Sequence, residues 1–362
     1  MTPHGLSRAY EPAVLVPPGE TLVEWLERAE MSQVEFAKRA RLTPKHITQV
    51  VKGKVGISPE VAIAFERVTS IPARYWAQLD ANYQTAKHRI TEEDSLLRRI
   101  DLVHRFPTKE LERRRCIDRT TAEVDKLRAL LRFFGVADPD ALEDVWLQPA
   151  MYRRSKAFEA DAGALASWLR LAELQAARIK TARYDVDAAR AAIDGMRALS
   201  RLPDVHWIQP LTELCASVGI ALVIVKELPG CRVNGATRWI SPDKAMIALS
   251  LRHRRNDIFW FTLFHELCHL LRHSKRETFV DGTGTIDPEL EAEADSFAAR
   301  VLIPPQAAAQ LPSLSNLSEV QSFAEEIGVA DGVVVGRMQH DGLIPHNRWT
   351  SAIARFHFKD DE

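Results

Sequence analysis

The sequence predicts a mainly α-helical protein with a small α+β domain toward its C-terminal end and an all-α domain near its N-terminal end. Apolar side chains recur at helical spacing between residues 19 and 87, which indicates five short helices. Residues 91–202 are rich in Ala, Arg, Leu and Glu and poor in Gly, a composition that favours further helices. Two apolar runs after Pro210, IALVIVKEL and AMIALSLR, indicate strands.

Length and composition indicate a globular protein of two or three domains. The chain has 362 residues, of which 46% are hydrophobic and 27% are charged. Its 48 basic and 49 acidic side chains give no overall bias toward nucleic acid or membrane, so a surface for such a partner must be local. The N-terminus has no signal-peptide pattern and no run of about 18 apolar residues occurs, so we expect a cytoplasmic location and no membrane partner.

The four cysteines indicate neither a disulfide framework nor a cysteine zinc cage. They are scattered along the chain without Cys-x-x-Cys spacing. We expect them to be reduced and mostly buried: Cys116, Cys215, Cys231 and Cys268.

The order of these patterns predicts five segments. The first is a flexible stretch with three prolines near its end, and the first helix begins near Gly19. In the helical connector, Thr120 or Thr121 is a candidate N-cap and Gly135 a candidate helix end. The predicted bounds are 1–18 for the flexible segment, 19–90 for the all-α domain, 91–204 for the helical connector, 205–345 for the α+β domain and 346–362 for a C-terminal tail.

The stretch SQVEFAKRARLTPKHITQVVKGK, residues 32–54, indicates two short helices joined by a tight turn. Ser32 with Glu35 is a capping box that opens the first helix, and Thr43 with Pro44 at the first helical position opens the second. This is the arrangement of a helix-turn-helix, whose second helix can face base edges in the major groove of DNA. The candidate DNA-reading residues are Lys45, His46, Thr48 and Gln49.

Charge in this region agrees with a DNA-binding surface. Between Phe36 and Pro59 the chain has no Asp or Glu, and a local basic face suits contact with phosphates. The alternative is an ordinary helical hairpin with solvated lysines, because short helix pairs are common. The basic residues are Lys38, Arg39, Arg41, Lys45, Lys52 and Lys54, of which Lys52 and Lys54 join the candidate DNA-binding set.

Residues 16–88 resemble the HigA-like (XRE/Cro-type) antitoxin family of helix-turn-helix proteins, which is related to the phage repressors. The resemblance rests on PPGETLVEWLE, the helix-turn-helix stretch, ISPEVAIAFERV and PARYWAQLDANYQTAK. It implies sequence-specific DNA binding, commonly as a homodimer and often at the protein's own promoter. A toxin is a further partner that such an antitoxin could hold.

The stretch FHELCHLLRHS, from Phe264 to Ser274, indicates a metal site. His265 and His269 are four residues apart, so on a helix both imidazoles share a face, and Glu266 can lie beside them. With 12 histidines and 49 acidic residues, a chance match to this spacing is expected in roughly one such sequence in twenty. The pattern suits a catalytic Zn²⁺, although manganese could replace zinc in the cell.

A catalytic zinc takes three protein ligands, so a third ligand is expected downstream. His273 is excluded because it lies about 12 Å along the same straight helix from His265. The acidic start of LEAEADSFAARVLIP supplies Glu291 as the third ligand, with Asp295 accepting a hydrogen bond from a ligand imidazole. Two alternatives stay open: the pair Glu289 and Glu293, and a solvated acidic helix start favoured by the helix dipole.

This residue set predicts peptide hydrolysis, with Glu266 as the catalytic base that takes the proton of a zinc-activated water. Cys268 is either a fourth ligand that closes the site or, as the apolar flanks favour, a small buried residue. The sequence does not identify the donor that stabilises the oxyanion. Four residues are candidates for it: His273, His253, Arg252 and Arg238.

Residues 205–345 resemble the ImmA/IrrE family of zinc metallo-endopeptidases. The resemblance rests on VNGATRWISPDKAMIALSLRHRRNDIFWFTLFHELCHLLRH, EAEADSFAARVLIP and GVVVGRMQHDGLI, in that order. It implies a zincin-like metallopeptidase fold with an edge strand beside the cleft, and cleavage of a repressor or antitoxin. We assign AMIALSLR, residues 245–252, to substrate pairing. Cys268 stands where glycine is common, which could add thiol sensitivity.

Two function hypotheses follow. The first is a DNA-binding regulator whose zinc endopeptidase domain cleaves a regulatory protein and thereby switches transcription. The second is a transcriptional regulator or antitoxin whose protease-like domain only senses a ligand or binds a partner toxin. A helical scaffold with neither activity would require both motif sets to be accidental.

Overall fold

The computed structural model of the protein describes residues 16–148, 162–203, 206–273, 279–280 and 288–356. Most of the predicted flexible segment, part of the predicted connector and the end of the predicted tail lie outside the described residues: 1–15, 149–161, 204 and 357–362. The chain forms two compact units, Met1–Arg99 and Ile100–Glu362. No helix among the described residues combines the length and apolar character that crossing a membrane requires.

The N-terminal unit is all-α, as predicted, with its core formed where the helices meet. Phe65 packs edge-to-face against both Phe36 and Trp76, at centroid distances of 5.1 and 5.3 Å. Four of the five helices are short as expected, but the fifth has 25 residues because no Gly or Pro interrupts it. The helices are α1 Pro18–Arg28, α2 Gln33–Ala40, α3 Pro44–Val51, α4 Pro59–Thr69 and α5 Ala73–Leu97.

The first part of the second unit is helical, as the composition of 91–202 predicted. Gly135 ends one helix in a left-handed conformation (φ 69°), as predicted. The N-cap of that helix is Ala122, not a threonine, although Thr120 Oγ1 accepts a bond from Ala122 N at 3.3 Å. The α-helices are α6 Thr108–Arg113, α7 Glu123–Phe134, α8 Pro139–Leu142, α9 Ala162–Arg178, α10 Val186–Ala191, α11 Ile193–Ala198 and α12 Ile208–Ser217; Ile100–Arg105 and Leu199–Arg201 are 3-10 turns and Glu143–Leu147 is a π turn.

The segment predicted to be a connector is packed onto the C-terminal sheet from Ile100 onward. The indole of Trp168 on α9 donates a hydrogen bond to the carbonyl of Val225, at 3.1 Å. The guanidinium of Arg114, which follows α6, donates to the carbonyls of Lys226 and Glu227, at 2.8 and 2.6 Å. These long-range bonds make the helical segment a structural part of the second unit.

The sheet has four strands in the order β1-β3-β2-β4. Strand β3 pairs in parallel with β1 and antiparallel with β2, while β4 adds only two residue pairs to β2. The assignment of AMIALSLR to substrate pairing at a sheet edge is therefore wrong, because β3 has strands on both sides. The strands are β1 Ile220–Ile224, β2 Gly235–Ser241, β3 Lys244–Leu249 and β4 Phe279–Val280.

A long buried helix, α13, crosses the sheet and organises the core of the second unit. Its apolar residues occur on nearly every face, and Trp260, Leu263, Phe264 and Leu267 are fully buried. Such an all-round apolar helix is stable only when other elements cover it, here β2 and β3 on one side and later helices on the other. The later α-helices are α13 Asn256–Arg272, α14 Pro288–Leu302, α15 Pro305–Ala308, α16 Leu317–Ile327 and α17 Asp331–His340; Leu311–Ser313 and Thr350–Ala352 are 3-10 turns.

Candidate metal centre and helix-turn-helix surface

Helix α13 carries three of the predicted site residues in its buried second half. His265 and His269 are each 2% exposed and Glu266 is 0% exposed. The four-residue spacing places the two imidazoles one turn apart, and their Nε2 atoms lie 3.1 Å from each other. Burial, followed by the neighbouring imidazoles of His265 and His273, lowers the pKa of His269 to about 3. His269 is therefore neutral near pH 7, the form in which histidine binds a metal.

Helix α14 brings the predicted third ligand, Glu291, to the same point. Its carboxylate oxygens lie 3.3 Å from His265 Nε2 and 3.6 Å from His269 Nε2. Ligand atoms of the three residues all fall within 4.8 Å of one another. Tetrahedral coordination with zinc–ligand bonds of about 2.0–2.1 Å separates ligand atoms by about 3.3 Å, so this donor set fits a zinc ion. Glu291 Oε1 is buried and accepts no hydrogen bond from the described residues, which also fits a metal ligand.

Each imidazole is oriented by a partner on its other nitrogen. His265 Nδ1 lies 2.9 Å from Asp295 Oδ1, the partner expected from the sequence. His269 Nδ1 lies 2.8 Å from His273 Nδ1, and His273 Nε2 lies 3.2 Å from Glu293 Oε2. Because Glu293 accepts a proton from His273 Nε2, we assign the proton between the two Nδ1 atoms to His269. Both Nε2 atoms then carry lone pairs toward Glu291.

Strand β2 contacts the predicted base. The hydroxyl of Thr237 lies 2.7 Å from Glu266 Oε2 and 3.1 Å from the Glu266 carbonyl, so it can donate to either oxygen. Gly235 approaches the same side chain so closely that an added Cβ would lie 2.7 Å from Glu266 Oε1 and 2.6 Å from Thr262 Cγ2. A side chain at position 235 would therefore displace Glu266 or Thr262.

The alternatives left open by the sequence do not join this cluster. Glu293 binds Arg272 and His273 instead, and the three residues that bring ligand atoms together are His265, His269 and Glu291. Cys268 is fully buried and is not among the residues whose ligand atoms come together. Burial also raises the pKa of its thiol to about 11, which disfavours the thiolate needed for rapid oxidation.

Two of the four oxyanion candidates are engaged elsewhere in the fold. Arg238 lies over the ring of Trp146, at 5.1 Å, and 4.0 Å from a carboxylate oxygen of Glu173. The guanidinium of Arg252 donates to the carbonyl of Arg232, at 2.9 Å. Neither arginine is therefore a ready donor to an oxyanion at the metal centre. His273, the third candidate, acts instead as the partner of His269.

Sequence reasoning missed the roles of Gly235, Thr237, His273 and Glu293. The four-residue spacing of His269 and His273 is visible in the sequence, but spacing alone does not distinguish a hydrogen-bond partner of His269 from a metal ligand or an oxyanion donor. The contacts of Gly235 and Thr237 with Glu266 join residues about thirty positions apart in the chain, and no local pattern encodes such a pairing.

The predicted helix-turn-helix is present as α2 and α3. Ser32 Oγ accepts a bond from Glu35 N at 3.1 Å, and Thr43 Oγ1 accepts one from His46 N at 3.1 Å, so both predicted N-caps are confirmed. The return half of the capping box is absent, because the Glu35 carboxylate accepts from Arg39. That i to i+4 ion pair competes for the same carboxylate.

The candidate DNA-binding residues differ in their exposure. All six basic side chains of the predicted face are exposed, including Lys45, Lys52 and Lys54. Gln49 is half-buried. His46 is also half-buried, and its Nε2 has no hydrogen-bond partner among the described residues. The Thr48 hydroxyl donates to the Pro44 carbonyl at 2.9 Å, so it is engaged inside its own helix.

The metal centre and the helix-turn-helix both lie in regions that match models of known protein families. Residues 230–338 match the peptidase M78 family model, described as the IrrE N-terminal-like domain, and residues 22–76 match a helix-turn-helix model. The chain joins a helix-turn-helix DNA-binding domain to an IrrE-like domain. The IrrE-like match contains the metal-centre residues on α13 and α14, and the helix-turn-helix match contains α2 and α3.

Two individual proteins are similar to part of this chain. An Escherichia coli K12 protein described as the uncharacterized HTH-type transcriptional regulator YddM is 29% identical over 83 residues, which cover 23% of this chain and 88% of that protein. The Pseudomonas aeruginosa protein PA4674, crystallised with its 18-bp operator DNA, is 25% identical over 22% of this chain and 87% of its own, with a TM-score of 0.21.

Proposed function

We propose that this protein is a DNA-binding regulator whose IrrE-like domain is a zinc endopeptidase that cleaves a regulatory protein of the repressor or antitoxin type. The observation that carries the proposal is the convergence of His265 Nε2, His269 Nε2 and the Glu291 carboxylate on one point, at 3.1 to 3.6 Å from each other. The likeness to the peptidase M78 family supports a metallopeptidase type of chemistry.

In this proposal His265, His269 and Glu291 hold the metal, and Asp295 and His273 hold the two imidazoles in the required tautomer. A zinc ion bound there would lower the pKa of a water molecule and polarise the scissile carbonyl. Glu266 accepts the proton of the attacking water and transfers it to the leaving amine as the C–N bond breaks. Thr237 orients the Glu266 carboxylate through their 2.7 Å hydrogen bond.

The helix-turn-helix domain supplies the regulatory side of the proposal. Lys45, Lys52 and Lys54 contact phosphates, and Gln49 and His46 read base edges after the ring of His46 turns outward. We propose that the chain binds its operator as a homodimer, and that cleavage of the partner repressor or antitoxin changes transcription from the bound promoter.

The test compares wild-type cells with cells that carry Glu266→Gln, by mass spectrometry of all protein N-termini. Glu266→Gln keeps the size of the side chain and removes the base, so internal N-termini that wild type creates in regulatory proteins should disappear. The variant should retain metal and operator binding, as measured on the purified protein. Identical sets of N-termini would refute the peptidase proposal and leave a regulator whose IrrE-like domain binds a ligand or a toxin.

A further inference from the structure

A basic loop joins β3 to α13 in the second unit. It comprises residues 251–255, with the sequence LRHRR, and no acidic residue occurs in it. Arg252, His253 and Arg254 are exposed, as is Arg232, which precedes the first residue of β2 by three positions. The chain as a whole has a net charge of -1, so the positive charge at this loop is a local feature.

The acidic residue that follows the loop in the sequence is already paired. Asp257 accepts hydrogen bonds from Arg255 Nε at 3.0 Å and from Arg255 Nη2 at 2.7 Å. In this bidentate pair the two opposite charges compensate each other. Asp257 therefore does not offset the positive charge of Arg252.

The guanidinium of Arg252 is held in place by the backbone before β2. Its Nη1 donates a hydrogen bond to the carbonyl of Arg232, at 2.9 Å. A guanidinium has five N–H donors and commonly binds a carboxylate through two of them, so one bond to a carbonyl leaves donors for such a ligand. Because the side chain is already oriented, less conformational entropy is lost when a ligand binds.

The backbone of β2 links Arg252 to the proposed catalytic base. Arg232 precedes Gly235 by three residues, which span at most about 11 Å of extended chain. An added Cβ on Gly235 would lie 2.7 Å from Glu266 Oε1. The guanidinium of Arg252 therefore lies within about 20 Å of the Glu266 carboxylate.

A strip of partly exposed apolar side chains on α13 joins the metal centre to the basic loop. Ile258, Phe261 and His265 share one face of the helix, because they occupy positions i, i+3 and i+7. Ile258 and Phe261 are half-buried, and the ring centroid of Phe261 lies 6.4 Å from that of His265. Ile258 also borders a small pocket of about 10 Å³ together with residues of the basic loop. The strip from His265 to Ile258 is about 10 Å long.

We propose that the basic loop binds an acidic side chain of the peptide substrate, with Arg252 holding its carboxylate. This inference rests on the proposed peptidase function and names a class of substrate for it. An extended peptide advances about 3.3 Å per residue, so a distance of about 10–20 Å places the acidic residue about three to six positions from the cleaved bond. Substrate side chains between these two points contact Ile258 and Phe261, which favours apolar residues there.

The test digests a synthetic peptide library of mixed sequence with the zinc-loaded full chain, and mass spectrometry identifies the cleaved bonds. Asp and Glu should be enriched at one position, about three to six residues from the cleaved bond. A peptide that is cut well is then remade with Gln in place of Glu at that position. This change should lower kcat/KM about tenfold, chiefly through KM, and the difference should shrink at high salt.

A charge reversal assigns the preference to Arg252. Arg252→Glu should reverse it, so that Lys and Arg become enriched at the same position. The matched control is Arg119→Glu, which changes an exposed arginine of the second unit outside the loop and should keep the preference of wild type. The zinc content of each variant, measured in parallel, shows whether the second unit is folded. If Arg252→Glu does not fold, the comparison of Glu and Gln peptides with the wild-type chain still decides.

The outcomes separate this inference from the peptidase proposal. Cleavage without an acidic preference, or an acidic preference that Arg252→Glu retains, would overturn the inference and leave the peptidase proposal standing. If wild type cut no peptide that Glu266→Gln does not also cut, the peptidase proposal would be refuted and the inference with it.

Discussion

The hydroxyl of Thr237 on β2 lies 2.7 Å from Oε2 of Glu266 on α13, within a fully buried contact. The bond links the sheet to the helix that carries the two histidines of the candidate metal centre. A carboxylate that accepts a proton in one step and returns it in another must keep its orientation in both. Thr237 is therefore the positioning residue on which the proposed mechanism depends most closely.

We expect Thr237→Val to lower peptidase activity about ten- to a hundredfold, because a hydrogen bond to a charged group is worth about 1.5–3 kcal/mol. Thr237→Ser restores the hydroxyl and should recover most of the loss. The measurement is kcat on a substrate found through the N-terminal comparison, with metal content measured on the same samples. If kcat fell in Thr237→Val and was equally low in Thr237→Ser, the loss would come from altered packing and not from the missing hydrogen bond.

We expect Asp295→Ala to weaken zinc binding about ten- to a hundredfold, the usual effect of removing a partner that orients a ligand histidine. Asp295→Asn should weaken it less, because an amide oxygen can still accept from His265 Nδ1. Competition with a chromophoric chelator measures the affinity. Equal affinity of wild type and Asp295→Ala would show that the contact with His265 does not orient the ligand.

We expect Lys45→Ala and Lys52→Ala each to reduce the salt dependence of DNA binding, because each would remove one of the proposed phosphate contacts. The slope of log affinity against log salt should fall by about one per lysine. Lys87→Ala is the control, since Lys87 is exposed on α5 of the same unit but lies outside the predicted basic face. Fluorescence anisotropy with promoter DNA from the protein's own gene gives the slopes.

Glu110 gives the second unit a defined acid sensitivity. Hydrogen bonds from Arg113 and then Arg114 lower its pKa from 4.5 to about 2, and Arg114 also holds the carbonyls of Lys226 and Glu227. Because the folded pKa is below the unfolded one, the stabilisation is complete above pH 4.5 and is lost as pH falls from about 4.5 toward 2.

We therefore expect Glu110→Gln to lower the free energy of unfolding by about 1–2 kcal/mol at pH 7, and by less as the pH falls below about 4.5. Urea denaturation of both proteins at pH 7, 5 and 3.5 measures the difference. Asp118→Asn is the control. Asp118 is exposed and lies 3.9 Å from Arg132, and an exposed ion pair of this kind contributes little to the free energy of unfolding. If the free energies of unfolding of wild type and Glu110→Gln differed by the same amount at all three pH values, the lowered pKa of Glu110 would be contradicted.

The features that the sequence predicted correctly are encoded locally. The N-caps at Ser32 and Thr43 and the helix end at Gly135 each depend on a few adjacent residues. The two histidines on α13 share a face because of their spacing alone. The acidic start of α14 supplied the third member of the cluster because the expected zinc site required one.

The features that the sequence did not predict depend on contacts between distant parts of the chain. Strand β2, with the mixed sequence GATRWIS, lacks the apolar pattern that revealed β1 and β3, yet it provides Gly235 and Thr237 to Glu266. The order of the strands likewise depends on pairing, so the apolar run of β3 could not reveal that the strand is internal.

The most direct test of the account is the metal content of the purified 362-residue chain after zinc loading and dialysis, compared with His265→Ala, Glu291→Ala and the control Glu289→Gln. We predict about one zinc per chain in wild type and in the control, and loss of the metal in the other two variants. Wild type with no more zinc than His265→Ala, or full zinc in Glu291→Ala, would contradict the three-ligand centre.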